Sequence, residues 1–359
     1  MNTYRRLALV SLASLACWPH AFAQQAAPLE VAFLYDNPIG DVGWVRQHEA
    51  GRQAIEKALG TKVRTKYVQV PTGADSERVM RSLAQGGTKL IYGVSFGYMN
   101  PMAKVAAQFP GTTFMNAQGF MTSKNMGVYS ARVYEGFYMN GVLAGKMSKT
   151  GTVGYMGSLP VPEVVQGLNA FMLGMRSVNP KSTIKVVWLN TWYDPGRERE
   201  APNAVLVDGP DVLTSVLSSP VAVQVAEERG AYAVAWQSDM SKYGPRAQLG
   251  YALLDWSSPY VKITQAVADG SWKPSNDWLG VREGVIRMDG LNPALPPDVK
   301  QLVARIEADM KSGAFRPFTG PIVDQDGKQR VAAGVSLTDD ELRKIGWLAV
   351  GIQGRIPAN

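Results

Sequence analysis

Two patterns of hydrophobic and polar residues alternate along the chain from residue 29 onward. Short apolar runs, typical of buried strands, are separated by longer stretches in which apolar residues recur every three or four positions, as on one face of a helix. Strands that alternate with helices are typical of parallel sheets built from βαβ units. In the first half of the chain the pattern predicts strands at 29–35, 62–69, 88–94 and 112–116 and helices at about 44–59, 75–86 and 99–109.

The same alternation begins again after an apolar run at 126–130 and a helix at about 134–149. No linker rich in Pro, Gly or Ser separates the two halves, so we predict two α/β lobes joined by a hinge. The second half is predicted to contain strands at 152–156, 183–189, 204–208 and 231–236, helices at 161–178, 196–203, 220–229, 296–313 and about 338–344, and a turn at Asp326-Gly327.

The N-terminal residues have the three parts of a secretory signal peptide. Two arginines precede an apolar run at 7–18, which ends in the small-residue pattern Ala-Phe-Ala at 21–23. The apolar run is shorter than the roughly 20 residues that cross a membrane. We therefore predict that residues 1–23 are removed by cleavage before Gln24 and that the mature protein is soluble in the periplasm. Lipid attachment at Cys17, which would make the protein a surface lipoprotein, is the alternative.

Composition narrows the chemistry that the mature chain can perform. The whole sequence contains one cysteine and two histidines, and after cleavage only His48 remains of these three residues. Residues 93–97 match the G-x-S-x-G pattern, but the hydrolase version needs a histidine after Ser95, and His48 precedes it. We therefore predict no enzymatic activity, no metal and no cofactor. A secreted hydrolase that acts on nucleosides through carboxylates such as Asp41 and Asp239 is the alternative, because general acid/base catalysis needs only paired acids.

The net charge gives no sign of a nucleic-acid partner. The formal charge of the whole chain is +7, and its basic residues are dispersed. Binding to nucleic acid would require a concentrated basic face. We expect a basic, exported protein with a small-molecule partner.

Aromatic and polar side chains recur where the predicted strands end. In doubly wound sheets, ligands bind outside the carboxyl ends of the strands, and two facing lobes place that edge in a cleft. A flat ligand can stack between rings there, while carboxylate and amide groups bind its nitrogens. An alternative role for Asp41 is to cap the helix that follows it. The candidate ligand-binding residues at these ends are Asp41, Trp44, Phe96, Gly97, Tyr98, Asn116, Trp192, Asp194, Gln237 and Asp239.

Several segments together resemble the basic membrane protein (BMP) family of ABC-transporter substrate-binding proteins. The resemblance covers essentially the whole mature chain, and its motifs are specific as a set. They are Asp-Val-Gly-Trp at 41–44 with Gly51-Arg52, Tyr-Glu-Gly-Phe-Tyr at 134–138, Val-Gly-Tyr-Met-Gly at 153–157, Asn-Ala-Phe-Met-Leu-Gly at 169–174 and Trp-Tyr-Asp-Pro at 192–195.

The resemblance implies a two-lobed periplasmic binding protein of the sugar-binding type (type I), with a mostly parallel sheet flanked by helices in each lobe and three crossings at the hinge. The N-terminal lobe would comprise 28–132 and about 256–288, and the C-terminal lobe 133–255 and about 289–359. The implied function is a monomeric receptor that binds a purine base such as adenine, or a purine nucleoside, and delivers it to an ABC permease in the inner membrane.

Two candidate residues match positions that bind ligand in the family's nucleoside receptors. Trp44 matches the aromatic residue that stacks on the base, and Asp239 matches the aspartate that binds the ribose hydroxyls. Those receptors also carry a lysine near the second crossing, where this chain has Asp255 and Trp256. We add Trp256 to the predicted ligand-binding residues, and the missing lysine leaves the choice between base and nucleoside open.

Overall fold

The structure is a computed structural model that describes residues 27–357. The predicted signal peptide, its cleavage site before Gln24 and Cys17 lie outside the described residues. No helix in the described part of the chain combines the length and the apolar character needed to span a membrane.

Strands and helices alternate over most of the described chain. The strands are β1 (Leu29–Tyr35), β2 (Val63–Gln69), β3 (Leu90–Gly93), β4 (Thr113–Ala117), β5 (Met126–Ala131), β6 (Thr152–Gly157), β7 (Thr183–Trp188), β8 (Val212–Ser215), β9 (Tyr232–Gln237), β10 (Gln248–Leu254), β11 (Asn276–Leu279), β12 (Ile286–Asp289), β13 (Ile322–Val323), β14 (Gln329–Val331) and β15 (Ile352–Gln353). The helices are α1 (Trp44–Leu59), α2 (Ala74–Gln85), α3 (Met99–Ala106), α4 (Val133–Met147), α5 (Pro162–Val178), α6 (Pro195–Val207), α7 (Val221–Arg229), α8 (Ser257–Ala268), α9 (Pro297–Ser312) and α10 (Asp339–Leu342).

The strands form two large sheets, each the centre of one lobe. The first sheet has the order β11-β5-β4-β3-β1-β2, and all its pairs are parallel. The second has the order β12-β10-β9-β8-β6-β7-β15, in which only β12 pairs antiparallel among the described strands. The chain reverses its order beside β1 in the first sheet and beside β6 in the second. These are the switch points where ligands bind in doubly wound folds.

The chain passes between the two sheets three times, as the predicted hinge requires. It leaves the first sheet after β5, returns to it after β10 through α8, which packs on α1, and leaves again between β11 and β12. The first and third crossings are hydrogen-bonded, because the Arg132 amide donates to the Leu279 carbonyl at 2.7 Å. Strand pairing places the third crossing at 280–285, a few residues before the predicted position near 288. The other lobe boundaries stay a prediction.

Helices α4 and α5 pack closely in the second lobe because glycines lie at their contact. A Cβ atom on Gly141 would lie 2.1 Å from the carbonyl oxygen of Phe171. A Cβ atom on Gly174 would lie 2.1 Å from the carbonyl oxygen of Tyr138. Both distances are far below van der Waals contact, so the two backbones approach this closely only with glycine at both positions.

The predicted strand at 204–208 is wrong, since these residues continue α6 to its end. A short apolar run does not distinguish a strand from a helical segment. Asp194 caps α6 by accepting a hydrogen bond from the Arg197 amide at 3.1 Å, and the helix runs on through Pro202. Strand β8 takes the place in the sheet that the prediction gave to 204–208. The elements from β10 to β12 were not predicted.

Candidate ligand-binding cleft

The carboxyl ends of the two sheets face each other across a closed cleft. The Gly43 amide, just before α1, donates to Ser238 Oγ of the second lobe at 3.0 Å. Gln47 Nε2 donates to the same oxygen at 2.7 Å. Farther along the cleft, Gln118 Nε2 donates to Glu163 Oε1 at 3.1 Å. These hydrogen bonds join helix N-termini and loops of opposite lobes, so they form only when the lobes are closed.

Gly43 has the conformation and the size that closure requires. Gly43 is the N-cap residue of α1, and its φ is +88°, in the region that favours glycine. A Cβ atom on Gly43 would lie 2.8 Å from the Cα of Ser218, which belongs to the opposite lobe. Any larger residue at position 43 would therefore hold the lobes apart.

Three residues with unfavourable backbone conformations mark the same edge of the sheets. Gln118, Asn190 and Gln237 have φ values of 58°, 50° and 70°, and they are the non-glycine residues with positive φ in the described chain. They lie at or just after the ends of β4, β7 and β9. Such conformations cost about 1–3 kcal/mol and cluster at functional sites. Their positions support the interlobe cleft as the site.

Trp44 belongs to an inner aromatic cluster, which we define as Trp44, His48, Tyr129, Trp256 and Tyr260. The Trp44 indole donates its N–H to the Val94 carbonyl, and its ring contacts His48 and Trp256 edge to face. The His48 and Trp256 rings stack with centroids 5.3 Å apart. Trp44 is partly buried, whereas Trp256 has 0% exposure. In the closed structure Trp256 supports Trp44 from behind.

His48 is neutral and part of the packing. Its Nδ1 shares a hydrogen bond with the Tyr260 hydroxyl, which is also bonded to the Tyr129 hydroxyl at 2.6 Å. Burial holds the pKa of His48 well below its usual range. This position agrees with a structural histidine.

The consecutive residues Phe96, Gly97 and Tyr98 lie in three different environments. Phe96 is 49% exposed and lies 6.3 Å from the ring of Phe120. Gly97 lies against Thr72, whose Cγ2 would be 2.7 Å from an added Cβ. Tyr98 is fully buried, with its hydroxyl donating to the Val70 carbonyl. Only the first of these side chains has a large accessible surface.

Asn116 and Gln237 are buried amides at strand ends. Asn116 Nδ2 donates to the carbonyl oxygens of Gly93 and Ser95 at 3.3 and 2.9 Å. Asn116 thus fixes the end of β3 and the loop after it. Gln237 Oε1 is buried, and the described residues give it no hydrogen bond. A ligand donor could satisfy that oxygen.

Asp41 contacts the opposite lobe at the outer edge of the cleft. Asp41 does not cap α1, since the cap residue is Gly43. Its Oδ2 accepts hydrogen bonds from Lys242 Nζ and the Tyr243 hydroxyl, both at 2.8 Å and both from the opposite lobe. The bond from Lys242 lowers the pKa of Asp41. We call Asp41, Lys242 and Tyr243 the rim bridge.

Asp194, Asp239 and Trp192 shape the second lobe's side of the cleft. Asp194 is the α6 cap described above. Asp239 Oδ1 accepts from the Ser241 amide at 2.8 Å and from Gln248 Nε2 at 3.1 Å. The Trp192 carbonyl accepts from the Ser218 amide at 3.2 Å, which joins the loops after β7 and β8.

Three carboxyl groups at this edge were missed in the sequence. Asp36 directly follows β1, and burial raises its pKa although Asn37 Nδ2 donates a hydrogen bond to its carboxylate at 3.2 Å. Glu163 lies in the first turn of α5, after β6, and burial raises its pKa to about 7. Glu198 is buried, and its carboxylate accepts from the Asp194 amide at 2.8 Å and from Ser219. The signal for Asp36 and Glu163 was their position after a strand; for Glu198 no local signal exists.

The sequence matches a known protein family over most of its length. Residues 29–312 match the Bmp family, described as ABC transporter substrate-binding protein PnrA-like. The chain belongs to this family. A purine-binding protein of Brucella abortus, BAB2_0673, is 46% identical over 330 residues, which are 92% of this chain and 94% of that protein. TsgA13 of Haloferax volcanii, which carries a provisional name as an ABC transporter glucose-binding protein, is 33% identical over 92% of this chain and 82% of its own.

Solved structures confirm the predicted fold of this Bmp-family chain. An ABC transporter solute-binding protein from Aeropyrum pernix has a TM-score of 0.70 at 18% identity, covering 88% of this chain and 98% of its own. One from Conexibacter woesei has a TM-score of 0.67 at 19% identity, covering 80% and 98%. The type I periplasmic binding fold, with a mostly parallel sheet flanked by helices in each lobe, is therefore confirmed.

Proposed function

We propose that this substrate-binding protein binds a purine base, or a purine nucleoside, in the cleft between its lobes. The proposal rests on one observation. The edges of the two sheets meet directly, and the Trp44 ring at this edge is held in a fixed orientation. Ser238 bonds to Gly43 and Gln47 across the cleft, while Val94 holds the Trp44 indole in one orientation. A rigid ring at a closing edge suits a flat ligand. The purine-binding name of the 46% identical relative supports the same ligand class.

The predicted site residues divide into two groups in this proposal. Those placed to meet the ligand are Trp44 and Gln237, joined by Asp36 and Glu163. The supporting group holds the loops and the ring in position. In the first lobe its members are Trp256, behind Trp44; Asn116, which fixes the end of β3; and Gly97 and Tyr98, which follow β3. In the second lobe they are Trp192, Asp194 and Asp239. Asp41 belongs to the rim bridge, and Phe96 lies on the outer surface.

The proposed receptor works outside the cytoplasm and delivers its ligand to an ABC permease. Membership of an ABC substrate-binding family supports the permease partner. The signal-like sequence of residues 1–23 supports export to the periplasm with cleavage before Gln24. Closure would be a population shift, driven by contacts that the ligand makes with both lobes at once. The closed form is then the one that the permease receives.

The receptor proposal also holds that the ligand is returned unchanged. Asp41 is engaged by the rim bridge, and Asp239 is engaged by Ser241 and Gln248. Ser95 has an extended backbone, with φ of −141°, rather than the strained turn of a nucleophile elbow. These contacts support binding over nucleoside hydrolysis.

The experiment is a thermal-shift panel followed by calorimetry and chromatography. Adenine, hypoxanthine, adenosine and glucose are each added to the wild-type protein. A ligand that binds only the folded state raises the melting temperature, so we expect a rise with a purine and none with glucose. Chromatography of the recovered ligand should return it intact. A shift with glucose alone would contradict the ligand class, and release of free base from adenosine would contradict the receptor.

A further inference from the structure

The contact between Gln118 and Glu163 leaves one carboxyl oxygen available inside the cleft. Gln118 Nε2 donates to Glu163 Oε1 at 3.1 Å, and Gln118 itself has a positive φ of 58° at the end of β4. Glu163 Oε2 makes no hydrogen bond with any described residue. Glu163 lies in the first turn of α5 and is only partly buried, so its second oxygen can accept a hydrogen bond from a ligand between the lobes.

Within residues 27–357, no lysine or arginine forms an ion pair with Glu163. Burial is the one cause that raises its pKa to about 7, and no lysine or arginine acts on it. The group that faces it from the first lobe is the uncharged amide of Gln118. Burial likewise raises the pKa of Asp36, the other carboxyl at the cleft edge, and the side chain that hydrogen-bonds to it is the amide of Asn37 rather than a cation. Lys242 at the rim is occupied by Asp41.

These two carboxyls are hydrogen-bond acceptors that form no ion pair with a basic side chain of the described residues. A phosphate or carboxylate ligand would meet like charge there, which is unfavourable in a poorly solvated site. A ligand with N–H groups would instead donate to the carboxylates in charge-assisted hydrogen bonds. The cleft is therefore suited to neutral or cationic heterocycles that carry amino groups.

We propose that Glu163 is a specificity-determining residue of the cleft, whose free oxygen accepts a hydrogen bond from an amino group of the ligand and so favours amino-substituted over oxo-substituted purines. This inference rests on the proposed purine-binding function. An oxo group in the same place would present a lone pair to the carboxylate oxygen, and that contact is repulsive.

The acceptor role requires Glu163 to be ionised, so ligand binding is linked to the release of a proton. A group that titrates near pH 7 in the free protein is mostly protonated at pH 6 and mostly ionised at pH 8. An amino donor that holds Glu163 in its ionised form lowers its pKa in the complex. The affinity for adenine should then rise by about tenfold from pH 6 to pH 8. The adenine ring itself does not titrate in this interval.

The test is calorimetric titration with adenine and with hypoxanthine, which carry an amino and an oxo group at the same ring position. Titrations are run at pH 6, 7 and 8 and in two buffers of different ionisation enthalpy, which reveals the released proton. The wild type should release a proton on binding adenine near pH 7. Glu163→Gln should bind adenine with no pH dependence, release no proton and lose most of its preference for adenine over hypoxanthine.

Glu307→Gln is the matched control. Glu307 lies on α9, outside the cleft, and burial raises its pKa too. This variant should keep the pH dependence, the proton release and the ligand preference of the wild type. Glu163→Asp, which retains a carboxyl group, should keep a pH-dependent affinity at a weaker level, and melting curves of all variants report folding.

The outcomes separate this inference from the function on which it rests. If purines bind to the wild type but Glu163→Gln retains the same pH dependence and the same preference, the role of Glu163 is overturned and the receptor stands. If no purine binds to the wild type at any pH, the proposed function itself is overturned.

Discussion

The inner aromatic cluster and the outer rim of the cleft contain similar side chains in opposite surroundings. Behind Trp44, Trp256 and Tyr260 have no exposed surface. Their rings stack on each other, and the Tyr260 hydroxyl is hydrogen-bonded to the Tyr129 hydroxyl. By the rim side chains we mean Phe96 and Tyr193, one on each lobe at the outer edge of the cleft. Phe96 is 49% exposed and Tyr193 is 47% exposed. The inner cluster is a rigid support for one ring, whereas the rim side chains contact solvent.

The difference shows that an aromatic residue at a strand end has no fixed role. Burial decides whether it supports the fold, faces the cleft or lies on the surface. Trp44 is intermediate between the two groups, because its indole is fixed by a hydrogen bond and its ring is still partly accessible. The predictions below test this division, beginning with the largest expected effect.

Trp256→Ala should lower the free energy of unfolding by about 3–5 kcal/mol, because it removes a fully buried indole and leaves a cavity at the hinge. Urea denaturation followed by circular dichroism measures the loss. Tyr193→Ala is the control at the rim and should change stability by less than about 0.5 kcal/mol. An equal loss in the free energy of unfolding for the two variants would contradict the distinction between the inner aromatic cluster and the rim side chains.

Gly43→Ala should weaken ligand binding by about 1–3 kcal/mol, since the added methyl group meets the Ser218 backbone when the lobes close. The control is Gly73→Ala. Gly73 is also the cap residue of a helix and also has positive φ, at +111°, but an added Cβ meets nothing within 4 Å. Both variants should lose similar stability, and only Gly43→Ala should lose affinity. Unchanged affinity in Gly43→Ala would mean that the ligand does not require this closed form.

Trp44→Ala should weaken purine binding by about 1–3 kcal/mol, the range measured when an aromatic ring that stacks on a base is removed. Calorimetry with adenine gives the value. Phe96→Ala, at an exposed aromatic residue, should leave the affinity nearly unchanged. A larger loss from Phe96→Ala than from Trp44→Ala would move the stacking surface to the rim.

Asp41→Asn should have the smallest effect, a slight weakening of ligand affinity that disappears at high salt. The rim bridge is exposed, and such ion pairs contribute little and are screened by salt. The pKa of Asp41 is lowered in the closed state, so ionised Asp41 stabilises that state at neutral pH. This stabilisation is lost only as the pH falls below the usual aspartate range. A salt-independent and large loss would instead indicate direct ligand contact by Asp41.

Much of the fold followed from local pattern. Strand β1 and helix α1 have the predicted bounds, because a continuous apolar run and a long helical periodicity are strong signals. Strand β10 was not predicted, since its sequence includes Gln248 and Gly250, where the strand pairing shifts register. The predicted helix at 196–203 ended too early, because the apolar run after it resembled a strand, whereas α6 continues to Val207.

The position proposed for the site follows from the sequence, but the contacts of its side chains do not. The rule that ligands bind at strand ends located the cleft edge, where Trp44 and Gln237 lie. It did not show that Asp41 reaches Lys242, 201 positions away in the chain, or that Trp256 stacks on His48. Such contacts depend on how the lobes pack and close. The position of Glu163 after a strand was a usable signal, but its contact with Gln118 of the opposite lobe was not predictable from the sequence.

The central claim is that the two lobes close over a purine. Its most direct test is calorimetric titration of the wild-type protein with adenine and, separately, with glucose. The account predicts saturable binding of one adenine per chain and no heat of binding with glucose. Saturable binding of glucose without binding of any purine base or nucleoside would contradict it.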